Sequence, residues 1–357
     1  MARAVQIVRH GEPEDLSIVE MPDRAPQRGE LVIDVHAIGV NFADLLVVRG
    51  KYQILAPLPF SPGKEVAGIV SAVGERDAGF RVGDRVIAYP ENGGYVDRIT
   101  VANLLCHRLP VGLDFADAIG LGLAFQTAHF ALFERGMMQP GETVLVTGAT
   151  GGVGSTTVQL AKARGARVIA GCTTPSKANF ARECGADHVV MLDRPDLAEV
   201  LRAEVAEATN GGGVDLIIEN LGGDVFEACL RTLAWRGRIV VVGFAAGAPS
   251  VVRSNYLLIK NIAASGLHWS DYRDRTPDLV RHAQKDIFAL WQEGRLTPAV
   301  TEVLHLEEAA SALRRLVDRR VLGKIVLVTG YYAGRLRQAA RISSIVLSNV
   351  KAQPCWE

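Results

Sequence analysis

The stretch GETVLVTGATGGVGSTTVQLAK, residues 141–162, decides the fold of this chain. Its apolar run at 144–146 has the length of a buried parallel strand, and apolar residues at helical spacing follow the glycines. Glycines in such a turn let the backbone approach a pyrophosphate closely, and the start of the helix offers free N–H groups. The pattern predicts a dinucleotide site that includes Gly148, Gly151, Gly152, Val153 and Gly154.

The second predicted strand, 167–171, indicates which dinucleotide binds. NAD sites usually carry Asp or Glu about 20 residues past the glycines, where the carboxylate binds the ribose 2′-hydroxyl. This chain has Gly171 and Cys172 there, followed by Ser176 and Lys177. A missing carboxylate and a nearby ammonium favour the 2′-phosphate of NADPH. The alternative is that Ser176 only caps the next helix and that Lys177 is solvated.

The composition excludes several classes of protein. The chain has 357 residues, of which 48% are hydrophobic and 22% charged, and its formal net charge is zero. This length allows two domains, and the neutral balance gives no electrostatic reason to expect nucleic acid or an anionic membrane as partner. The five cysteines form no C-x-x-C pair, which argues against a zinc ribbon or a disulfide framework. We find no secretory signal and no apolar stretch of membrane-spanning length, so we expect a cytoplasmic protein.

The pattern of the chain changes near residue 122. Residues 1–122 contain short alternating apolar segments between turn residues, which predicts an antiparallel, barrel-like β domain. Residues 123–267 alternate strands and helices, as in a doubly wound α/β sheet. Residues 268–330 end in a strand of the first type, so we expect the nucleotide domain to be inserted within the barrel domain. The extension 331–357 carries no functional prediction.

Several separated segments extend the pattern beyond the glycine turn. They are GVNFAD at 39–44, PGKEVAG at 62–68, VGDRV at 82–86, GAD at 185–187, VVVGF at 240–244 and LGK at 322–324. Together with 141–162, they resemble the quinone oxidoreductases and zeta-crystallins of the medium-chain dehydrogenase/reductase superfamily, over about residues 1–329. Thr150 departs from that family's usual smaller residue. The resemblance implies an α/β fold in which a GroES-like β-barrel domain is joined to a Rossmann doubly wound parallel sheet.

The same resemblance implies a homodimeric enzyme with NADPH in the cleft between its domains. By position, it implies cofactor contacts from Tyr52, Gly152, Val153, Gly154, Gly171, Lys177, Asn220, Gly243, Phe244, His268, Trp269 and Ser270. Segment 257–267 looks like an apolar edge strand, containing Leu257, Leu258 and Ile259. Relatives often pair such strands across a two-fold axis, so we expect an isologous dimer.

The zinc ligands of the superfamily's alcohol dehydrogenases are missing at the matching positions. Those enzymes have a cysteine where this chain has Asn41, and a His-Glu pair where it has Lys64 and Glu65. Asn is a poor zinc ligand, and a lysine ammonium repels the ion. Glu65 alone makes no site. We therefore predict that the chain binds no metal.

The absence of a Lewis acid favours a conjugated acceptor, because a quinone or enone spreads the arriving charge over its own π system. The enzyme then has to align acceptor and cofactor and to offer a hydrogen bond to the developing oxyanion. Asn41 and Tyr52 are the candidate catalytic residues. The alternatives are that Tyr52 only packs on the cofactor and that Asn41 bonds barrel backbone. We expect Asp44 to order this segment and Lys64 to be solvated at the surface.

Three functions remain open at this point. The first is NADPH-dependent reduction of a quinone or an α,β-unsaturated carbonyl. The second is reduction of an enoyl thioester, since related folds use the same hydride geometry. Arg273 and Arg275 would then bind a phosphate of the thioester, unless they lie in a solvated loop. The third is a non-catalytic NADPH-binding protein, like the crystallin relatives.

Overall fold

The computed structural model describes residues 1–74, 79–247 and 249–332, so the predicted tail extension lies outside the described residues from position 333 onward. The strands are β1 (Ala2–Gln6), β2 (Ser17–Met21), β3 (Glu30–Val40), β4 (Val66–Val73), β5 (Arg85–Ala88), β6 (Arg98–Ala102), β7 (Cys106–Arg108), β8 (Thr143–Thr147), β9 (Arg167–Cys172), β10 (His188–Met191), β11 (Val214–Glu219), β12 (Leu233–Val241), β13 (Ala263–Gly266), β14 (Val300–His305) and β15 (Lys324–Val328). The α-helices are α1 (Phe42–Val48), α2 (Phe115–Gly120), α3 (Leu123–His129), α4 (Gly152–Ala163), α5 (Pro175–Glu183), α6 (Leu197–Ala208), α7 (Gly223–Leu230), α8 (Ser254–Lys260), α9 (Trp269–Arg275), α10 (Pro277–Gln292) and α11 (Ala309–Val317).

The middle of the chain forms a six-stranded parallel sheet in the order β10-β9-β8-β11-β12-β13. This is the doubly wound order, in which the first strand lies at the centre of the sheet. Successive strands are added first on one side of it and then on the other. β8 contains the predicted apolar run 144–146, and β9 matches the predicted strand 167–171 to within one residue. The Rossmann prediction is therefore confirmed.

The predicted edge strand at 257–267 is wrong over its first half. Leu257, Leu258 and Ile259 lie in α8, and β13 occupies only Ala263–Gly266. Leu258 and Ile259 are 78% and 75% exposed, so their apolar character does not mark a buried strand. A short apolar run has no periodicity that separates strand from helix, which is why the sequence misled us here.

The two ends of the described chain meet in a seven-stranded sheet. Its order is β14-β15-β3-β4-β5-β7, and β6 also pairs with β3. The last strand, β15, runs antiparallel to β3 and pairs Ile325 with Val40. This pairing agrees with the prediction that the nucleotide domain is inserted within the first domain, although the predicted domain boundaries themselves stay predictions.

A large apolar core joins the parallel sheet to the helices that cover it. Phe125 of α3, Val146 of β8 and Ile287 of α10 are fully buried members of the same cluster. A separate cluster fills the first sheet and includes Ile33, Leu45 and Tyr95. The packing of α3 and α10 on the parallel sheet holds the two sheets in a fixed relation and defines the cleft between them.

One segment contradicts the expectation that no apolar stretch has membrane-spanning length. Among the described residues, the helical segment Phe115–Arg135 is long and apolar enough to cross a membrane by length and composition. It contains α2, α3 and the π-helix Phe130–Arg135, and 83% of its most apolar part is buried inside the protein. The segment is apolar because it forms part of the buried core.

The glycine turn constrains the fold at Gly154. A Cβ at this position would lie 2.1 Å from the carbonyl oxygen of Gly148 and 2.8 Å from the Cα of Ala149, both of which are backbone atoms. We expect Gly154→Ala to lower the free energy of unfolding by about 1–3 kcal/mol, as overpacking of a tight interior does. Urea unfolding followed by circular dichroism measures this change.

The matched control for that substitution is Gly152→Ala. A Cβ at Gly152 would meet nothing closer than the carbonyl oxygen of Gly323 at 3.7 Å, which is an ordinary contact. This variant should therefore unfold like the wild type. Equal stability of the Gly154 and Gly152 variants would contradict the packing argument.

Candidate active site

The glycine turn lies at the carboxyl end of β8, where the strand order reverses between β9 and β11. Ligands of doubly wound sheets bind at this reversal. Gly148 has a φ of +58°, which favours glycine, and Gly151 precedes the first turn of α4. A Cβ at Gly151 would have its nearest neighbour only at 3.6 Å, so open space lies over the turn. The N-terminal N–H groups of α4 thus face a space that suits an anion.

Three further predicted residues lie at the same edge of the sheet. Asn220 follows β11 and donates from Nδ2 to the carbonyl of Thr147 at 2.8 Å, while its N–H donates to Thr147 Oγ1 at 2.9 Å. These bonds tie the ends of β8 and β11 together. Gly243 follows β12, and a Cβ there would lie 3.7 Å from the Asn220 carbonyl. Phe244 is 39% exposed and borders this edge.

Glu219 lies buried at the end of β11 and was missed by the sequence reasoning. Its carboxylate accepts hydrogen bonds from Leu221 N at 2.8 Å, Gly222 N at 3.0 Å and Thr147 Oγ1 at 3.1 Å. Burial raises the pKa of this carboxyl, and the three donors act against that shift. Glu219 therefore stabilises the loop that follows β11.

The end of β9 differs in detail from the prediction. Gly171 is buried inside the strand, and a Cβ there would lie 2.8 Å from Leu192 Cδ1, so a larger residue would have to displace that side chain. Thr174, not Ser176, caps α5, because its Oγ1 accepts from Lys177 N at 3.3 Å. Ser176 Oγ lies 3.0 Å from Thr174 Oγ1, so both hydroxyls face each other at this end of the helix.

Lys177 is half-buried and held near the carboxyl end of β9. Its Nζ lies 3.4 Å from Thr173 Oγ1 and 3.2 Å from the carbonyl oxygen of Arg319. The sequence did not connect the turn at Arg319 with this site, since the two lie 142 positions apart. No carboxylate pairs with Lys177 among the described residues, so its charge is available to an anion.

Tyr52 and the segment 268–270, which the resemblance marks as cofactor contacts, lie close together. The Tyr52 hydroxyl lies 3.4 Å from His268 Nε2 and also interacts with the buried Ser270. Burial is the main reason that the pKa of Tyr52 rises to about 12, so the phenol stays protonated at neutral pH. His268 Nδ1 lies 3.4 Å from Asp271 Oδ1, and the imidazole is 37% exposed. Trp269 is buried edge-on against Tyr89, at 5.4 Å between ring centroids.

Lys64 is not solvated, contrary to the sequence-based expectation. Its side chain is only 4% exposed, and its Nζ forms an ion pair with Glu91 and donates to the Glu91 carbonyl at 3.1 Å. Arg273 Nη1 lies 2.9 Å from Glu91 Oε2, so Glu91 bridges two cations. The ammonium of Lys64 lies 4.1 Å from the centroid of the Tyr52 ring, at cation–π distance. Lys64 therefore belongs to the wall of the cleft.

Asn41 is fully engaged within the protein. Its Nδ2 donates to Glu65 Oε1 at 3.1 Å and to the Gly39 carbonyl at 3.3 Å, and its Oδ1 accepts from Lys324 Nζ at 2.6 Å. Lys324 also forms an ion pair with the fully buried Glu65. The ammonium of Lys324 thus lies between the two positions at which zinc dehydrogenases carry ligands. Sequence reasoning noted the motif at 322–324 but attached no role to its lysine.

Asp44 orders the segment after β3, as expected. Its Oδ2 accepts from Asn41 N at 2.9 Å and from Tyr95 Oη at 3.2 Å, which fixes the first turn of α1. Burial raises the pKa of Asp44 to about 6, against the attraction of Lys64. Within residues 1–74, 79–247 and 249–332, no three His, Cys, Asp or Glu side chains are grouped as metal ligands would be.

Known family models match both parts of the chain that border this cleft. Residues 27–126 match the family model "Alcohol dehydrogenase GroES-like domain", and residues 152–285 match "Zinc-binding dehydrogenase". The chain is thus a two-domain oxidoreductase of the medium-chain dehydrogenase/reductase superfamily, with the predicted GroES-like and Rossmann parts.

Its relatives narrow this assignment. The chain is 37% identical over 313 residues to the quinone oxidoreductase-like protein 2 of Bos taurus, covering 87% of this chain and 88% of the relative. The structure of Escherichia coli quinone oxidoreductase complexed with NADPH is 30% identical, with a TM-score of 0.85 over 92% of this chain and 100% of that one. The CurK enoyl reductase structure is 28% identical, with a TM-score of 0.82 over 92% and 99%. The chain belongs to the quinone oxidoreductase family.

The buried pair of Lys324 and Glu65 gives a testable consequence for stability. Lys324→Met leaves the carboxylate of Glu65 buried without its cation, so we expect a loss of about 3–5 kcal/mol in the free energy of unfolding. Adding Glu65→Gln removes the stranded charge and should recover most of that loss. Urea unfolding of the two single variants and the double variant measures the coupling. Additive losses in the double variant would show that the two side chains do not act as a pair.

Proposed function

We propose that this protein is an NADPH-dependent oxidoreductase that transfers hydride to a quinone or another α,β-unsaturated carbonyl without zinc. The observation that carries the proposal is the pairing of an open glycine turn with a cleft whose metal position is taken by the ammonium of Lys324. Quinone oxidoreductase relatives support the acceptor class. The proposed activity is that of an NADPH:quinone oxidoreductase.

The residues of the turn fit a dinucleotide. Neither Gly151 nor Gly152 would place a Cβ within 3.5 Å of another group, so the backbone is open to a pyrophosphate. Trp269 Nε1 is buried and has no hydrogen-bond partner among the described residues, which is expected of a donor reserved for a ligand. When bound, NADPH supplies the hydride. Lys177 would hold its 2′-phosphate, and the N-terminus of α4 its pyrophosphate.

We assign the proton chemistry to Tyr52. Its protonated hydroxyl would donate a hydrogen bond to the acceptor oxygen, where negative charge develops as hydride arrives. His268 lies behind that hydroxyl, and Asp271 contacts the other ring nitrogen, so the partly exposed imidazole would return a proton from solvent to Tyr52. Asn41 is a positioning residue in this scheme, because its amide is already bonded to Glu65 and Lys324.

We base the proposed zinc independence on the charge at the position that matches the zinc ligands of the alcohol dehydrogenases. A divalent ion beside Asn41 and Glu65 would meet the ammonium of Lys324. A conjugated acceptor needs less help from a Lewis acid than a simple alcohol does, because its π system spreads the arriving charge.

An enoyl-thioester reductase is the second candidate, and the similarity to the CurK enoyl reductase structure favours it. The predicted role of Arg273 in binding a thioester phosphate is weakened, since its guanidinium is 7% exposed and paired with Glu91. Arg275 remains exposed at the end of α9. A non-catalytic NADPH-binding role is the third candidate, and it would be distinguished by binding without turnover.

We also propose a homodimer formed beside β13. This strand is the edge of the parallel sheet, and the neighbouring α8 exposes Leu258 and Ile259. Exposed apolar side chains next to an open sheet edge are typical of an interface between copies.

The reaction is tested with C4-deuterated NADPH and a panel of quinones, enones and enoyl-CoAs, and separately with NADP⁺ and ethanol. We expect NADPH oxidation with the conjugated acceptors and deuterium at the β-carbon of the enone product, because hydride is transferred directly. A chelator should leave the rate unchanged. Efficient ethanol oxidation together with inertness toward all conjugated acceptors would reject the proposal, and a clear preference for enoyl-CoAs would favour the second candidate.

The cofactor preference is tested at Lys177. Lys177→Ala should weaken NADPH binding by about 1–3 kcal/mol, the value of a hydrogen bond to a charged group, and leave NADH binding nearly unchanged. Fluorescence titration of both cofactors measures this difference. Lys162→Ala is the control, because Lys162 pairs with Asp187 away from the turn. Equal losses for NADPH and NADH would show that Lys177 does not contact the 2′-phosphate.

The proton donor is tested with Tyr52→Phe and His268→Gln. Tyr52→Phe should lower kcat/KM on the order of 10²-fold, as loss of a general acid does, while NADPH affinity stays within about twofold. His268→Gln should lower kcat less and reduce the solvent isotope effect, since the proton then comes by another route. Tyr272→Phe is the control on α9. A large loss of NADPH affinity in Tyr52→Phe would instead support the packing role.

A further inference from the structure

A groove lies between β7 and α10, and none of the cleft residues described above lines it. Its volume is 540 Å³, which is within the usual range of small-molecule sites. Cys106 and His107 of β7 form the floor, and Leu104 and Phe288 form apolar walls. The helix contributes Arg281, Gln284, Lys285 and Phe288, whose spacing of three, four and seven residues places them on one face. We call this site the β7–α10 groove.

The charge of the β7–α10 groove is positive. Lys285 is exposed, and it forms no ion pair or hydrogen bond with the described residues. Arg281 is paired with Asp278, whose side chain is 88% exposed, and Arg108 is paired with Asp84 at 2.9 Å. Three cations therefore face two carboxylates.

A second hollow adjoins this groove. It shares Gly79, Phe80 and Arg108 with the groove and adds Arg81, which pairs with Asp84 at 3.6 Å. The guanidinium of Arg108 lies 4.6 Å from the Phe80 ring centroid, which holds this cation at the junction of the two hollows. Excess positive charge beside apolar walls is the complement of an anion that has an apolar body.

His107 provides a polar group in the floor of the groove. Its side chain is largely buried, and its ring packs against Tyr89 at 5.4 Å between centroids. Burial, together with the charge of Arg281, lowers the pKa of His107 to about 4, so the imidazole is neutral and keeps one N–H donor.

The neighbouring Gln284 cannot supply that partner, because its side chain is bonded inward. Its Oε1 accepts from Tyr89 Oη at 2.5 Å and from Gln126 Nε2 at 2.9 Å. Among the described residues that line the groove, His107 and the rim cations offer polar contacts to a ligand. Tyr89 lies between the His107 and Trp269 rings, 5.4 Å from each, so it separates the groove from the cleft.

We propose that the β7–α10 groove binds an amphiphilic organic monoanion, such as a medium-chain carboxylate. The anionic head would lie near Lys285 and Arg281, and the apolar chain would lie along Leu104 and Phe288. A polyanion such as a nucleotide fits less well, because two of the three cations are already shared with carboxylates. The site does not depend on the reductase function.

The test uses isothermal titration of the protein saturated with NADPH, so that the cofactor cleft is filled. The probe is decanoate below its micelle concentration, with acetate as the head-group control and 1-decanol as the uncharged chain. We expect decanoate to bind once per chain, and acetate and decanol to bind at least about tenfold more weakly, since each lacks one half of the interaction. No decanoate binding, or equal binding of decanol, would overturn the proposal.

The location is tested with exposed positions, which avoids disturbing the fold. Lys285→Glu and Leu104→Asp should each weaken decanoate by at least about tenfold, and Lys285→Gln should weaken it less. Arg202→Glu, an exposed position on α6, is the matched control and should leave binding unchanged. Thermal unfolding of each variant confirms that it is folded. Unchanged affinity in both groove variants, or displacement of NADPH by decanoate, would place the binding elsewhere and reject the groove.

Discussion

The ion pair between Lys324 and Glu65 is the interaction on which the rest of the site depends. Glu65 is fully buried, and its other carboxylate oxygen accepts from the N–H of Leu123 at 2.9 Å, at the start of α3. Lys324 begins β15, the strand that returns the chain to the first sheet after the nucleotide part. One buried charge pair therefore connects the first sheet, the helix that covers the parallel sheet, and the last strand. A buried carboxylate is tolerable because the ammonium, the Asn41 amide and this N–H satisfy it.

The same pair also determines the chemistry available in the cleft. The ammonium of Lys324 is a fixed positive charge beside Asn41 and Glu65. The other charged groups near Tyr52 are likewise prearranged: Lys64 and Arg273 share Glu91, and Lys64 lies against the Tyr52 ring. Fixed dipoles and charges of this kind need no reorganisation when charge develops, which is how they assist a reaction. The wall around Tyr52 therefore offers prearranged charges and hydrogen bonds.

The cleft and the β7–α10 groove show two ways of using positive charge. In the cleft, Lys64 is buried and paired with Glu91, and Lys324 is buried and paired with Glu65. Their charges stabilise the fold and contribute to the electrostatic field at the site. In the groove, Lys285 lies exposed without a partner among the described residues. The first arrangement fixes geometry, whereas the second leaves a charge available for an incoming anion. Tyr89 packs between these two regions.

The sequence by itself determined the parallel sheet and the glycine turn, because the signals for strand, turn and helix lie within about 20 neighbouring residues. Resemblance to a family marked Tyr52 and 268–270 as cofactor contacts, and the structure shows that Tyr52 and His268 are neighbours. Only the tertiary structure showed that Lys64 is buried and paired with Glu91, and that Lys324 is paired with Glu65. The partner of Lys324 lies 259 positions away, and no local pattern encodes such a contact. The helix at 254–260 was missed for a related reason: a short apolar run acquires its conformation from what it packs against, and Leu258 and Ile259 face outward.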